Sequence, residues 1–293
     1  MHIHHSLFFK GALLFTGLLL LQSCLTQKLE KMAPVEHYAD DNWLLNQTRK
    51  QALIIVAHDD DAISSAGTVS MLTANGWEVH MLCFYHDIPE NVTRNLQRQQ
   101  DVQQAIAAQG IRSITFHTLN YRAHHTAYPK LYAYVPEEMR DSIYRMDTLT
   151  LLIQQFIEQY QPSVIFTLDD VIGGYGHPDH VVVSRIVKEY ALAHPQYIKR
   201  VYQAVFTPHQ ANTIMAELPV YQDALLSCNC TGQPVPTTQI NISAYGAQKR
   251  AAMLTYSTEQ QNLQKFWPKY DKMPPEKYFA IFDREFFHVI ETE

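Results

Sequence analysis

Residues 52–57 read Ala-Leu-Ile-Ile-Val-Ala, and this apolar run leads directly into His58, Asp59, Asp60 and Asp61. An unbroken run of β-prone apolar residues is typical of a strand that is buried on both faces of a parallel sheet. The run therefore predicts an internal strand of an α/β domain, with a histidine and three carboxylates at its carboxyl end.

Further strands and helices alternate along the chain after this first strand. Buried strands are predicted at residues 78–85, 113–119, 163–168 and 199–206. Amphipathic helices are predicted between them at residues 68–75, 91–109, 147–160 and 179–193. This repeated β-α-β order predicts a Rossmann-like, doubly wound, mainly parallel sheet in a single domain.

The chain after residue 206 gives weaker signals. Residues 207–242 are rich in proline and threonine, which predicts irregular structure. A helix is predicted at residues 243–259, followed by a late strand or hairpin at residues 278–290.

The N-terminus has the pattern of an export signal. Residues 11–21 form an apolar run that is too short for a stable membrane span, and Leu21-Gln22-Ser23-Cys24 resembles the bacterial lipobox. We therefore predict a signal peptide at residues 1–23, lipidation of Cys24, a tether over residues 24–50 and a catalytic domain over residues 51–293. The protein would be an extracytoplasmic lipoprotein, anchored in the periplasm or the outer membrane by its acyl chains. An ordinary cleaved signal with an incidental cysteine is the alternative.

Composition excludes several functions. The net charge of −6 and the lack of a basic run argue against nucleic acid as a partner. The glycine-rich fingerprint of dinucleotide sites is missing after the first strand, so the fold class does not imply NAD.

Cys83 is predicted to be a core residue. Cys228 and Cys230 are predicted to be free thiols, because a bridge between them would close a strained ring.

A second polar motif follows the predicted strand at residues 163–168. Residues 173–180 read Gly-Gly-Tyr-Gly-His-Pro-Asp-His. Pro178 suits a first helical turn, which places His177 and His180 together at a helix N-terminus. Taken alone, this motif could be a helix-capping loop, and the Asp59–Asp61 motif could be a solvated acidic turn.

The predicted fold brings the two motifs to one place, because the carboxyl ends of parallel strands share an edge of the sheet. Two histidines and a carboxylate around an open position are typical of a catalytic zinc hydrolase. The two motifs together therefore predict a metal centre at this edge.

These two motifs resemble the signatures of the PIG-L/LmbE-like deacetylase family. Residues 57–61 match Ala-His-x-Asp-Asp, and residues 177–180 match His-x-Asp-His. Residues 173–180 are especially similar to the mycothiol-pathway deacetylases of that family. The resemblance implies a substrate that is an N-acetylated amino sugar.

The resemblance also implies a metal set and its base. His58, Asp61 and His180 would hold Zn²⁺, or another divalent metal such as Fe²⁺. Asp60 would be the general base that takes a proton from the attacking water.

Four further residues take roles by the same resemblance. His177 would stabilise the charged tetrahedral intermediate, and Tyr175 would polarise the substrate carbonyl or protonate the leaving amine. The glycines on either side of Tyr175 predict a mobile loop. Asp179 would orient His177 or a metal ligand, and Arg98 would reach the substrate.

Departures from the family pattern concern substrate recognition more than catalysis. Asp59 replaces the usual proline, and residues 120–123 lack the acidic residue that often follows the third strand. The predicted function is removal of an N-acyl group from an amino sugar of an extracytoplasmic glycan or glycoconjugate. Two alternatives stay open: a non-catalytic glycan-binding lipoprotein, and a metal hydrolase that acts on another amide or an ester.

Overall fold

The computed structural model describes residues 25–84, 91–117 and 135–292, and these residues build an eight-stranded sheet. The strand order is β1-β7-β8-β6-β5-β2-β3-β4, and only β8 runs antiparallel to its neighbours within this sheet. The strands are β1 (Ala39–Asp40), β2 (Gln51–Val56), β3 (Glu78–Cys83), β4 (Ser113–Phe116), β5 (Val164–Leu168), β6 (Arg200–Val205), β7 (Thr238–Asn241) and β8 (Arg284–Glu291).

Helices cover both faces of the sheet. The main helices are α1 (Ala66–Ala74), α2 (Val92–Gln109), α3 (Met146–Tyr160), α4 (Pro178–Ala193), α5 (Pro219–Cys228), α6 (Gly246–Thr255), α7 (Gln260–Phe266) and α8 (Pro275–Ile281). Along β2, Ile54 and Val56 pack into the core under α1, α2, α6 and α8, whereas Leu53 and Ile55 pack into the core under α3 and α4. A strand buried on both faces explains why β2 reads as an unbroken apolar run. The predicted doubly wound, mainly parallel sheet is confirmed.

Local signals in the sequence account for the helix boundaries. The side chain of Asn91 caps α2 by accepting the Arg94 N–H at 3.1 Å, and the left-handed Gly110 ends that helix. Pro178 occupies the first turn of α4, where its missing N–H costs nothing. These caps fix where each helix meets the sheet edge.

The C-terminal third is more ordered than its composition predicts. Residues 207–242, predicted to be irregular, contain α5 and β7. Residues 278–290, predicted as a strand or hairpin, contain the end of α8 and most of β8. Proline-rich composition misled here because Pro219 occupies the first turn of α5, where proline favours a helix.

Residues 25–50 pack on the domain and do not form the free tether that their polar composition predicts. Leu29 and Leu44 are almost fully buried in the core, and β1 pairs with β7. A few apolar anchors are enough to dock a segment that is otherwise polar.

The predicted signal peptide and the predicted lipidation site Cys24 lie outside the described residues. Among the described residues, no helix combines the length and the apolar character needed to cross a bilayer.

Cys228 and Cys230 form a disulfide, so the prediction of two free thiols is wrong. Their Cα atoms are 5.2 Å apart because Asn229 between them adopts a left-handed conformation with φ of 51° at the end of α5. Cys83 is buried in the core, as predicted, and is not part of a disulfide.

Candidate metal centre and active site

The two polar motifs meet at the carboxyl ends of β2 and β5, which are neighbours in the sheet. After β2 the chain turns into a 3-10 helix, Asp59–Ser65, which His58 caps at its N-terminus. The His58 N–H donates to Asp61 Oδ2 at 2.8 Å, and this bond folds the aspartate back toward the imidazole. After β5 a glycine turn leads into α4, and the first turn of that helix presents His180 to the same point.

The three predicted metal ligands converge. His58 Nδ1 lies 2.9 Å from His180 Nε2, and both nitrogens face the Asp61 carboxylate, at 3.5 Å from Oδ2 and 3.2 Å from Oδ1 respectively. The edge between two ligands of a tetrahedral zinc ion is about 3.4 Å, given zinc–ligand bonds of roughly 2.1 Å. The spacing of the three groups therefore fits a small divalent cation.

In each imidazole, one nitrogen faces the Asp61 carboxylate (the inner nitrogen, His58 Nδ1 or His180 Nε2) and the other faces away from it (the outer nitrogen). The contacts of the outer nitrogens explain why the inner ones are available as ligands. His180 Nδ1–H donates to the Gly173 carbonyl oxygen at 2.8 Å, and His58 Nε2 lies 3.4 Å from Asp179 Oδ2. An acceptor on the outer nitrogen leaves the lone pair on the inner nitrogen. Two lone pairs at 2.9 Å repel unless a proton or a cation lies between them. The donor set thus fits a metal on chemical grounds.

Charge in this cluster is strongly coupled. Burial lowers the pKa of His58, but the carboxylates of Asp61 and Asp179 outweigh burial and raise it to about 10. Burial raises the pKa of Asp61, whereas His180 and His58 outweigh that effect and hold it well below its usual range. Asp61 is therefore ionised and requires positive charge beside it.

His177 lies next to this centre. Within the described residues, ligand nitrogens of His58, His177 and His180 fall within 4.8 Å of one another. His177 Nδ1 accepts the Asp179 N–H at 3.2 Å, so a neutral His177 carries its proton on Nε2. An Nε2–H donor suits the predicted role of His177 better than a metal-ligand role, because it can donate to a negative oxygen.

Asp179 is the predicted orienting residue, and it contacts both histidines. Its Oδ2 lies 3.4 Å from His58 Nε2 and 3.8 Å from His177 Nδ1. Its Oδ1 accepts the hydroxyl of Tyr144 at 2.8 Å. Tyr144 was not predicted, because a tyrosine between two helices carries no signal of such a partner.

Asp169 is a second residue that the sequence did not reveal. Its buried carboxylate accepts four backbone N–H groups, and these fasten the glycine turn that carries Tyr175. Oδ1 accepts those of Val171, Ile172 and Gly173, and Oδ2 accepts that of Gly174. An aspartate directly after a strand could have been read as a turn-capping residue.

The glycines beside Tyr175 allow positive φ angles, and at Gly176 they also allow close packing. Gly174 and Gly176 have φ of 74° and 104°, and a Cβ on Gly176 would lie 2.6 Å from the Cβ of Ala224. The predicted mobile loop is thus a tightly held turn. Tyr175 itself is half-buried, with its ring 5.4 Å from that of His180, so any movement of the phenol must come from its own side-chain torsions.

Arg98 binds carboxylates of the protein in this structure. Its Nε donates to Asp59 Oδ1 at 2.9 Å, its second terminal nitrogen also contacts Asp59 Oδ1, and Nη1 lies 3.2 Å from Glu259 Oε1. Arg98 therefore supplies part of the positive charge that the three aspartates require. The predicted contact with substrate gains no support, because these partners occupy the guanidinium.

Asp60 has different surroundings from Asp59 and Asp61. It is the aspartate of the three that faces a cavity without a histidine partner, and Arg98 approaches its Oδ1 at 3.4 Å. Burial raises the pKa of Asp60 to about 7; Arg98 opposes this rise, and the Asp61 and Asp59 carboxylates add to it. A carboxyl whose pKa is near neutrality is suited to general acid–base catalysis.

A cavity of about 150 Å³ adjoins the cluster. Asp60, Asp61 and Tyr175 line one part of it, and much of the remainder is lined by side chains of β6, α5, α6, α7, α8 and β8 and by aromatic residues next to these elements. A pocket that combines a few convergent polar groups with a mostly apolar wall is the usual form of a small-molecule site.

Comparisons with known proteins agree with this site. Residues 53–191 match the family model PIG-L, described as GlcNAc-PI de-N-acetylase, so this region of the chain is similar to that family. The match confirms the predicted resemblance, and it contains both motifs. It ends before α5, so the cavity wall formed by α7, α8 and β8 lies outside the matched region.

One relative is 1D-myo-inositol 2-acetamido-2-deoxy-alpha-D-glucopyranoside deacetylase of Thermobifida fusca (strain YX), which is 30% identical over 140 residues. The match covers 39% of this chain and 45% of that protein, so less than half of the relative is represented.

Solved structures share the fold at low identity. The zinc-inhibited form of a teicoplanin deacetylase matches with a TM-score of 0.54 and 15% identity, over 82% of this chain and 98% of that one. GalB, the 4-carboxy-2-hydroxymuconate hydratase of Pseudomonas putida KT2440, matches with a TM-score of 0.52 and 16% identity, over 82% and 96%. One fold thus accompanies two different reactions, and the reaction must be argued from the site.

Proposed function

We propose that this protein is a metal-dependent hydrolase that removes an N-acyl group from an amino sugar. The observation that carries the proposal is the convergence of His58, Asp61 and His180 beside Asp60, at a partly open cavity that Asp60 and Asp61 line. The family match over residues 53–191 and the name of the Thermobifida relative support an N-acetylated sugar as the substrate class.

Each residue of the site has a place in amide hydrolysis. A divalent metal, Zn²⁺ or Fe²⁺, would act as a Lewis acid at His58, Asp61 and His180. Asp60 would take the proton from the attacking water. Nε2–H of His177 would donate to the oxygen that becomes negative as the tetrahedral intermediate forms, and the phenol of Tyr175 would act on the same oxygen or on the leaving amine.

An amine-release screen tests this proposal against its alternatives. The protein, loaded with Zn²⁺, is incubated with N-acetylated amino sugars, with their O-acetylated analogues and with short peptides. The proposal expects free amine and acetate from the N-acetyl sugars. Ester or peptide products alone would indicate a hydrolase of another kind, and binding of glycan without any product would indicate a non-catalytic lipoprotein.

The metal centre gives a separate prediction. His58→Ala, Asp61→Ala and His180→Ala should each lower the metal content well below about one ion per chain, because each removes one of three protein ligands. Arg185→Ala, at a half-buried position of α4 that pairs with Glu137, is the control and should keep its metal. Metal content, measured by elemental analysis after dialysis, would contradict the assignment if it were unchanged in all three variants.

We also propose that the protein acts outside the cytoplasm, attached to a membrane through acyl chains on Cys24. The support is the apolar run at residues 11–21 and the lipobox-like sequence that ends at Cys24. Cys24→Ser should abolish labelling by radioactive palmitate and release the protein into the soluble fraction. Cys83→Ser serves as the control for cysteine loss, and membrane attachment of the Cys24→Ser protein would refute acylation at this residue.

A further inference from the structure

The wall of the cavity is aromatic where it leads away from Asp60. The ring of Phe266 lies 5.0 Å from that of Tyr175 and 6.4 Å from that of Phe206, and Trp267 lies 6.1 Å from Phe266. These rings form a continuous apolar surface that begins at the catalytic end of the cavity. A group attached to the scissile carbonyl can therefore enter this surface directly.

A buried ion pair in the wall is neutralised within the protein. Lys249 Nζ donates to Glu285 Oε1 at 2.6 Å and lies 5.1 Å above the ring of Trp267. The two oxygens of Glu285 also accept the N–H groups of Gly67 and Thr68, each at 2.8 Å. With these donors in place, the pair needs no charged ligand.

Other polar side chains of the wall are also engaged. Gln233 Oε1 accepts the Phe206 N–H at 2.8 Å, and Lys265 Nζ donates to Asn262 Oδ1 at 2.8 Å. Arg284 donates to a backbone carbonyl oxygen at 3.1 Å and to a glutamine side chain at 3.0 Å. Among the described residues, these side chains of the wall already have partners, so a sugar ring placed here would compete with them for its hydrogen bonds. Each hydroxyl left unpaired would cost free energy. An apolar group meets no such penalty.

The size of the cavity sets the size of its occupant. An acetyl group has one methyl beyond the carbonyl, whereas a mostly apolar cavity of about 150 Å³ has room for a benzene-sized group of six carbons. We infer that this cavity binds the acyl chain of the substrate and that the preferred substrates are amino sugars with N-acyl groups of about four to six carbons. The inference rests on the proposed function, because it assumes that the acyl carbonyl lies at Asp60.

A chain-length series tests the inference. Glucosamine carrying acetyl, butanoyl, hexanoyl or decanoyl groups is supplied to the zinc-loaded protein, and kcat/KM is measured by amine release. Each buried methylene should raise kcat/KM about 3- to 4-fold up to hexanoyl, so hexanoyl should exceed acetyl by about 10²-fold. A flat series, or one that falls from acetyl onward, would overturn the inference while leaving the proposed function intact.

Substitution of Ala204 locates the effect. Ala204 on β6 lines the cavity, and Ala204→Leu should lower the hexanoyl-to-acetyl ratio of kcat/KM by about tenfold by filling the space. Ala251→Leu, on the exposed face of α6, is the matched control and should leave the ratio unchanged. If Ala204→Leu does not fold, Ala204→Val should move the ratio in the same direction. An unchanged ratio in a folded Ala204 variant would place the acyl chain elsewhere.

A binding measurement separates this inference from the proposed function. Failure of every N-acyl sugar to release amine would refute the proposed function, and the cavity can still be tested with carboxylates. Calorimetry should show sodium hexanoate binding at least tenfold more tightly than sodium acetate. Equal affinities of the two would contradict an acyl-binding cavity.

Discussion

Asp60→Asn is expected to lower kcat by about 10²- to 10⁴-fold, the range typical of a general base, while the metal content stays near that of the wild type. The substitution preserves the shape of the side chain but removes the carboxylate that accepts the proton of water. Asp61, the predicted ligand beside it, keeps its contacts with His180 and His58. The measurement is steady-state amine release, with metal analysis on the same preparation.

The pH profile distinguishes loss of a base from general damage. Because the basic form of Asp60 is populated above its pKa, wild-type kcat/KM should fall as the pH drops through the pKa of this group. The value of about 7 describes the site without a metal, and a divalent cation beside Asp61 would lower it. Asp60→Asn should lose this acidic limb, and Asp141→Asn, an exposed control, should keep it. A near-normal kcat in Asp60→Asn would move the base to another group; Asp59 is unsuited, because it is buried against Arg98.

Tyr175→Phe should lower kcat by about 10²- to 10³-fold with little change in KM, because a donor to the developing oxyanion acts only after the carbonyl is attacked. The residue is placed for this role at the boundary between the histidine cluster and the cavity. Metal content should not change, since the phenol is not among the ligands. Tyr245→Phe, a half-buried tyrosine that does not line the cavity, is the control.

His177 should be coupled to Tyr175. If both donate to one oxygen, the loss in the double variant Tyr175→Phe/His177→Ala will be smaller than the product of the two single losses. Independent roles would give the full product. An increase in KM alone for Tyr175→Phe would reduce that residue to substrate binding and leave His177 as the oxyanion donor.

The sequence predicts well where the two motifs lie in the sheet, because the ends of the strands are marked by strong local signals. The apolar run before His58 and the glycines before His177 mark the ends of β2 and β5, and adjacent parallel strands must end at one edge. That rule predicted that the two motifs meet, and the family resemblance singled out His58, Asp61 and His180. The side chains of these three residues do lie within 3.5 Å of one another.

The sequence does not reveal the hydrogen bonds and ion pairs between residues that are far apart in the chain. Asp169 and Tyr144 act on the site through hydrogen bonds whose partners are visible only after folding. Arg98 was expected to contact the substrate, yet its guanidinium donates a hydrogen bond to Asp59, which lies in a different element. Asn229 adopts a left-handed backbone conformation that no sequence pattern predicted. This conformation allows the disulfide between Cys228 and Cys230.

Removal and restoration of the metal tests the central claim most directly. The wild-type protein is freed of metal with a chelator, supplied with an N-acylated glucosamine, and then reconstituted with about one equivalent of Zn²⁺ or Fe²⁺, while free amine and carboxylate are both quantified. We predict no product from the metal-free protein and, after reconstitution, amine and carboxylate in equal amounts. Undiminished hydrolysis by the metal-free protein, or a fully metal-loaded protein that releases no amine from any N-acylated glucosamine, would contradict the account.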